Sequence, residues 1–562
     1  MGFTLRTTAA ALLALAVAQS LGIHHPWWAA MTVWLVAQPT RGLLLERSLA
    51  RLVGTICGAF AGALILGFLA RDWLLALIAV AAWLALCAGL GSVFRHFRNY
   101  GFVLAGYTAA IVVLFGLGDG NSDPGLALDR VLCTVIGILS STLMSFRALP
   151  VVERELATRE EDVLRRALLH VEEFLLGRAQ QGTSALVSEI GALDRTIDEY
   201  AAGSFRRRRE AMRVRHVSGL LLELIALTAL PRRSGAVASP LLEVTDGIGE
   251  RVRRLAAAAV NAGRSAMADA LGELARVLNP DGKASQVQKP DFDPTSAWRA
   301  AARPILALTI AAAVWRTTEW QTGAMMVMTA ALFSSLFSSH DRGNQMVIQV
   351  LLGTLFGALA GVAARLYLLP HATDLLPTLL CITPFLLVGA WLMRRPATSK
   401  MAIDLTMTFL LTAQPGSAPA SAVVTLGEAT AIVAGVLIAA ATFWFILPAT
   451  PEVRCRLLAR RIARLTVRAA TSPSRTAAEV AQQSLRIAQV KLLDSTKADT
   501  DIFRAAQACL AAASEALAAR KNGSATPAGT PSPHLRTPNE TALQASAALD
   551  DLITLSRRRN SQ

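Results

Sequence analysis

Twelve apolar stretches, each long enough or nearly long enough to cross about 30 Å of hydrocarbon, dominate this chain. They fall at roughly 7–23, 26–38, 52–70, 73–94, 100–118 and 128–148, and again at 303–316, 320–338, 345–369, 374–393, 401–413 and 422–447. Hydrophobic residues fill 53% of the 562 positions and charged ones only 17%. The mean hydropathy is +0.44. So apolar a chain predicts an all-α polytopic membrane protein.

The second set of runs repeats the first. Gly54 to Gly62 reads GTICGAFAG and Gly353 to Gly361 reads GTLFGALAG, an offset of 299. A second block, DRVLCTVIGILSSTLMSFRALP, aligns with GEATAIVAGVLIAAATFWFILP at an offset of 298, matching Gly137 to Gly435 and Pro150 to Pro448. Two agreeing offsets indicate duplication. Six spans are an even number, so the expected architecture is two parallel repeats of six transmembrane helices, with helical cytoplasmic domains. The glycines Gly54, Gly58 and Gly62, and Gly353, Gly357 and Gly361, give each third span a face on which a neighbouring backbone can approach closely.

The expected boundaries are a first bundle over 1–148, a cytoplasmic helical domain over 149–298, a second bundle over 299–448 and a C-terminal cytoplasmic region over 449–562. The polar middle segment closes with KPDFDPTS, and the tail holds a linker near 521–538 before a short helix at 539–558. The first run resembles a signal peptide with an Ala-x-Ala site at Ala16 to Ala18. Its internal counterpart, Arg303 followed by PILALTIAAAVW, favours reading it as the first span.

Charge sets the orientation. With the N-terminus in the cytoplasm, Arg41, Arg47, Arg51, Arg95, Arg98, Arg342, Arg394, Arg395 and Lys400 fall inside. The opposite loops GIHHP, GLGDGNSDPG (with Asp119 and Asp123) and AQPGSAPAS carry no Lys or Arg. That asymmetry follows the positive-inside rule and puts both termini in the cytoplasm. It also absorbs the net charge of +15 without nucleic acid. The run FRRRREAMRVRH, with Arg206 to Arg209, Arg213 and Arg215, then faces anionic headgroups or the domain's own acidic helices. Six scattered cysteines, with no CxxC and no histidine cluster, predict neither disulfide nor metal. No P-loop, GxSxG or HExxH stands in a fitting context, so a cofactor-free secondary transporter is expected rather than an enzyme.

Several residues are candidates for transport chemistry. Arg47 and Arg51 stand one helical turn apart, followed by Gly54 and Thr55. They either gather an organic carboxylate or snorkel to the headgroups as anchors. Their counterparts in the second copy are Met346 and Val350. The short second span, with Trp27, Trp28 and Gln38-Pro39, and its counterpart from Trp320 form either a substrate site that stacks on planar rings or an interfacial tryptophan belt. Arg130 and Glu428 occupy matching positions in spans six and twelve and either pair across the pseudo-axis or sit at the interface. Asp404 is the acidic candidate for proton exchange, the alternative being an ion pair with Lys400.

HHPWWAAMTVWLVAQPT followed by ERSLARLVGTICGAFAG resembles the fusaric acid resistance family, which includes aromatic carboxylic acid efflux pumps. The third-span motif of that family falls on Arg51, Gly54 and Thr55, and its sixth-span arginine on Arg130. The resemblance implies export of aromatic or other hydrophobic weak acids across a bacterial inner membrane, driven by the proton gradient. It also implies a periplasmic adaptor protein and, in some cases, an outer-membrane channel. The alternatives are an organic-anion channel, since plant malate channels share six spans followed by a helical cytoplasmic domain, and a non-transporting membrane scaffold. A homo-oligomer fits any of these.

Overall fold

Each apolar run forms a helix, and several begin on a side chain that satisfies an otherwise orphaned backbone N–H. Thr40 accepts from the amide of Leu43, Asp72 from those of Leu74 and Leu75, and Ser421 from that of Val424. The computed structural model describes residues 2–523 and 554, except 39, 93–96, 119–124, 147–148, 150–154, 179–181, 231–246, 280–293, 339–342, 373, 448–450, 473 and 496–499. Pro39, Arg95, Asp119, Asp123, Pro150, Arg342 and Pro448 lie outside the described residues, as do the side chain of Arg98, the segment 524–538 and all but one residue of the helix expected over 539–558.

In chain order the helices are α1 (Phe3–Ser20), α2 (Trp27–Val36), α3 (Arg41–Leu69), α4 (Trp73–Gly91), α5 (Phe97–Gly118) and α6 (Gly125–Ser145). Five polar helices follow: α7 (Glu155–Leu175), α8 (Thr183–Ala201), α9 (Phe205–Thr228), α10 (Ile248–Asn261) and α11 (Ser265–Leu278). Then come α12 (Pro294–Thr318), α13 (Gly323–Ser338), α14 (Gly343–Ala363), α15 (Leu375–Met393), α16 (Ser399–Ala413) and α17 (Ala422–Ala441). The tail adds α18 (Pro451–Thr471), α19 (Arg475–Ser495) and α20 (Asp501–Gly523). Both α14 and α17 end in a π-helical turn, Ala364–Leu368 and Thr442–Ile446. The protein is therefore an all-α polytopic membrane protein.

The chain divides into two compact units, Met1–Val151 with Phe292–Thr450, and Val152–Asp291 with Pro451–Gln562. The first holds the twelve apolar helices. Among the described residues nine helices are long and apolar enough to cross a membrane. The other three, α2, α13 and α16, have 10, 16 and 15 residues. At 1.5 Å per residue, α2 reaches only about half of a 30 Å core. Nine of its ten residues are buried among other helices. A short segment is tolerated at membrane depth when protein surrounds it.

The glycine stripes seat helices within each set. A Cβ at Gly54 would stand 2.8 Å from that of Leu104, and one at Gly58 2.8 Å from that of Thr108, so α5 lies backbone to backbone on α3. On α14, Gly353 and Gly357 meet Asp404 and Thr408 of α16 in the same way, each at 3.0 Å. Gly137 of α6 likewise meets Thr32 of α2, and Gly435 of α17 meets Thr329 of α13. The opposite face of α3 leaves Leu49, Val53, Ile56, Phe60, Leu64 and Phe68 exposed, the surface that lipid would cover. Contacts between the two sets are reciprocal. The first helix of each packs on the fourth of the other (α1 on α15, α12 on α4), and the second on the fifth (α2 on α16, α13 on α5).

The polar unit joins α7–α11 to α18–α20 around one core that includes Leu220, Leu221, Leu274, Leu485, Phe503 and Leu510. Within it Glu223, 1% exposed, accepts from Arg486 at 2.5 Å, Gln482 at 2.6 Å and Ser514 at 2.5 Å. Arg486 also donates to both carboxylate oxygens of Glu273 at 3.2 and 3.1 Å, and His216 lies 2.9 Å from the same group. Burial pushes the Glu273 carboxyl up, but His216 and Arg486 outweigh it and hold it well below the usual carboxylate range. Arg213 pairs with Glu160 and Arg215 with Asp194. These two arginines of the basic run are thus engaged by the unit's own acidic residues.

Candidate functional site

The Arg51 guanidinium is 1% exposed, which rules out snorkelling to the headgroups. The face of α3 that carries it also buries Ser48, Gly54, Thr55 and Gly58. Close seating on α5 brings two phenols to Arg51, whose Nη1 donates to the hydroxyls of Tyr100 and Tyr107 at 3.2 Å each. Its Nη2 donates to Thr32 Oγ1 on α2 at 3.3 Å, and its Nε has no partner. Thr32 in turn donates to the Trp28 carbonyl at 3.0 Å.

Two further arginines border the cluster. Arg130 of α6, also buried, lies 4.7 Å over the Trp28 ring. Arg47, one turn before Arg51, lies 4.8 Å over the ring of Tyr100. His25 packs its ring on Trp28 at 4.5 Å and on Trp27 at 5.0 Å. Among the described residues neither Arg51 nor Arg130 has an acidic partner. Buried charge is ordinarily paired. Here hydroxyls and aromatic faces alone stabilise the guanidinium groups, in a setting suited to a planar carboxylate that takes a bidentate hydrogen-bond pair and stacks on rings.

Trp27 and Trp28 are 3% and 2% exposed. They face protein, so they form no belt at the headgroups. The structure thus gathers Trp28, Arg47, Arg51 and Arg130 into one place, with Trp27 and Thr55 buried on the same helices. Gln38 stays apart, its amide donating to the Ala37 carbonyl at 2.7 Å. Trp320, ahead of α13, packs half-buried against the membrane core. Tyr100, Tyr107 and Thr32 were not singled out from sequence. The available signal was YGFVLAGY, which places two of only four tyrosines seven residues apart on one helix face.

The second set holds different chemistry. Asp404 of α16 is buried and accepts from Thr354 Oγ1 of α14 at 2.7 Å. The ion pair with Lys400 does not form: among the described residues no cation pairs with Asp404. Glu428 does not meet Arg130. Its partner is Arg365, at 2.6 Å, in the π-helical turn after α14. Gln414 bonds both, accepting from Arg365 and donating to Glu428 at 3.0 Å each. In sequence Arg365 is a lone charge inside an apolar run, GVAARLYLLP. Residues at equivalent places in two related halves meet only near the axis relating them, so the matching offsets of Arg130 and Glu428 misled.

Twelve apolar helices around buried arginines and an isolated carboxylate define a multi-pass membrane protein whose interior is built for ionised groups. More narrowly, this chain belongs to the fusaric acid resistance protein family, whose model matches residues 1–281 and 232–557. It is similar to the p-hydroxybenzoic acid efflux pump subunit AaeB of Edwardsiella ictaluri, with 26% identity over 432 residues, covering 68% of this chain and 66% of the relative. An uncharacterized transporter of Gluconobacter oxydans is 29% identical over 209 residues, covering 35% of this chain and 28% of the relative. The uncharacterized transporter YdhK of Escherichia coli K12 is 34% identical over 144 residues, covering 25% and 22%. The chain spans about a quarter of the length of the last two. No solved structure matches.

Proposed function

We propose that this protein is a secondary transporter that exports aromatic carboxylic acids, or related hydrophobic weak acids, from the cytoplasm across a bacterial inner membrane in exchange for protons. The observation that carries the reading is Arg51: 1% exposed, bonded only to Tyr100, Tyr107 and Thr32, and without an acidic partner among the described residues. A carboxylate ligand supplies the counter-charge. Trp28, held under Arg130, and the tyrosine rings supply stacking surface. The similarity to a p-hydroxybenzoic acid efflux pump subunit supports that substrate class. The duplicated frame, with both termini cytoplasmic and a parallel relation between halves, fits alternating access by rocking. A periplasmic adaptor protein is the expected partner, with an outer-membrane channel beyond it.

The test is retention of labelled p-hydroxybenzoate in cells with and without the protein, with and without a protonophore. Lower retention with the protein, abolished by the protonophore and by Arg51→Ala, is the expected result. Equal retention in both strains overturns the reading. Flux that ignores the protonophore favours an organic-anion channel instead.

A further inference from the structure

The α2 helix touches both α3, which carries the buried Arg51, and α16, which carries the buried Asp404. Thr32 faces Arg51 on one side. Trp34, two residues on and so about 200° around the helix, faces the other way. Its ring lies 3.5 Å from a Cβ built at Gly389 of α15, beside Thr406 of α16. Asp404, two residues before Thr406 and so about 200° around α16, faces α14 instead, where its Cβ meets Gly353. Thr32, Trp28 and Trp34 are each at most 2% exposed, so a shift of α2 at Arg51 presses on α16 and, through that helix, on the Asp404–Thr354 contact on its far face.

Asp404 itself is unusual among the buried charges. Its hydrogen bonding comes from Thr354, on the helix whose Gly353 seats α16. Among the described residues, the elements packed on α16 bring no countercharge to it. α2 carries no charged side chain. Arg365, beyond α14, is spent on Glu428 of α17 and on the Thr412 carbonyl. Arg394 and Arg395 stand past the end of α15, and Lys400, one turn earlier on α16, does not pair with Asp404. An ionised carboxylate buried this way is costly, and gaining a proton removes the cost.

We propose that Asp404 carries the proton exchanged for the organic anion, and that α2 couples its protonation to occupancy at Arg51. This rests on the anion-export reading above. In exchange, the protein holds either the proton at Asp404 or the anion at Arg51: the proton leaves Asp404 toward the cytoplasm as the anion binds, and a new proton arrives from outside once the anion has gone. By linkage, anion binding then lowers the proton affinity of Asp404. The bare field of a bound anion would raise it.

The sign is measurable on the purified full-length protein by infrared difference spectroscopy, titrating the protonated-carboxyl band with and without benzoate. Tryptophan fluorescence reports benzoate binding beside Trp28 independently. The expected result is a titrating band lost in Asp404→Asn, retained at a shifted frequency in Asp404→Glu, and moved to a lower midpoint pH by benzoate. A band that survives Asp404→Asn unchanged, no titrating band, an unmoved midpoint or an upward shift each overturns the exchange while leaving the anion site standing. Failure of benzoate to bind overturns the export reading and the exchange with it.

Discussion

Arg51 and Arg486 are both almost wholly buried, and their surroundings could hardly differ more. Arg486, in the polar unit, is held by two carboxylates, Glu223 and Glu273. Arg51, in the membrane unit, is held by three hydroxyls and, among the described residues, by no carboxylate. Arg365, with the single carboxylate of Glu428, falls between them. A guanidinium with its full set of counter-charges fixes a structure. One stabilised only by neutral acceptors and rings keeps its strongest interaction for a ligand. The contrast separates an arginine that assembles the fold from the one proposed to bind the anion.

Substitution by methionine, which keeps the length and removes the charge, tests this most directly. Arg486→Met leaves the buried Glu223 without its counter-charge and Glu273 with His216 alone, and should destabilise the polar unit by about 3–5 kcal/mol, read in chemical denaturation of the full chain. Arg51→Met strands no carboxylate, so the melting temperature should hold or rise. Binding of p-hydroxybenzoate should fall at least about 30-fold, the equivalent of about 2 kcal/mol. If Arg51→Met melts as low as Arg486→Met, the division into structural and working arginines is wrong. Glu428→Gln should cost less than the Arg486 change, about 1–3 kcal/mol, because Gln414 remains to bond Arg365. A second loss on adding Arg365→Met should be small, since the charge stranded by the first change is then gone.

Acid sharpens the same comparison. Glu273 sits below its ordinary range because His216 and Arg486 outweigh its burial. A carboxyl whose pKa is depressed by folding contributes stability that is present above its unfolded value, about 4.3, and lost as pH falls through the lower folded value. Melts of the full chain between pH 7 and pH 3 should therefore show the polar unit weakening below about pH 4.3. Glu273→Gln, less stable at neutral pH, should flatten that decline. The smallest effect should come from Thr354→Val. It removes the hydroxyl donated to Asp404 and should move the titration of that group modestly toward higher pH and, by the same linkage, weaken benzoate binding modestly near that midpoint.

Helices with a glycine every four residues declare themselves by period and by repetition, which is why the fold was largely readable from sequence. The site was half readable. Arg47, Arg51, Arg130 and Trp28 stood out as charges and rings in unusual places. Tyr100 and Tyr107 did not, because a tyrosine in an apolar run looks like an ordinary amphipathic side chain until a neighbouring helix brings a guanidinium to its hydroxyl. The partner of Glu428 was beyond reach for a related reason. Sequence offsets give which places are equivalent, whereas ion pairs depend on which places are adjacent.

The glycine contacts weld helices into pairs, α3 to α5 and α2 to α6. The cationic cluster takes Arg47, Arg51, Tyr100 and Tyr107 from the first pair and Trp28, Thr32 and Arg130 from the second. It therefore lies along a seam between two stiff girders. A slide of one past the other changes every contact across that seam together, much as a zip parts along its whole length once the slider moves.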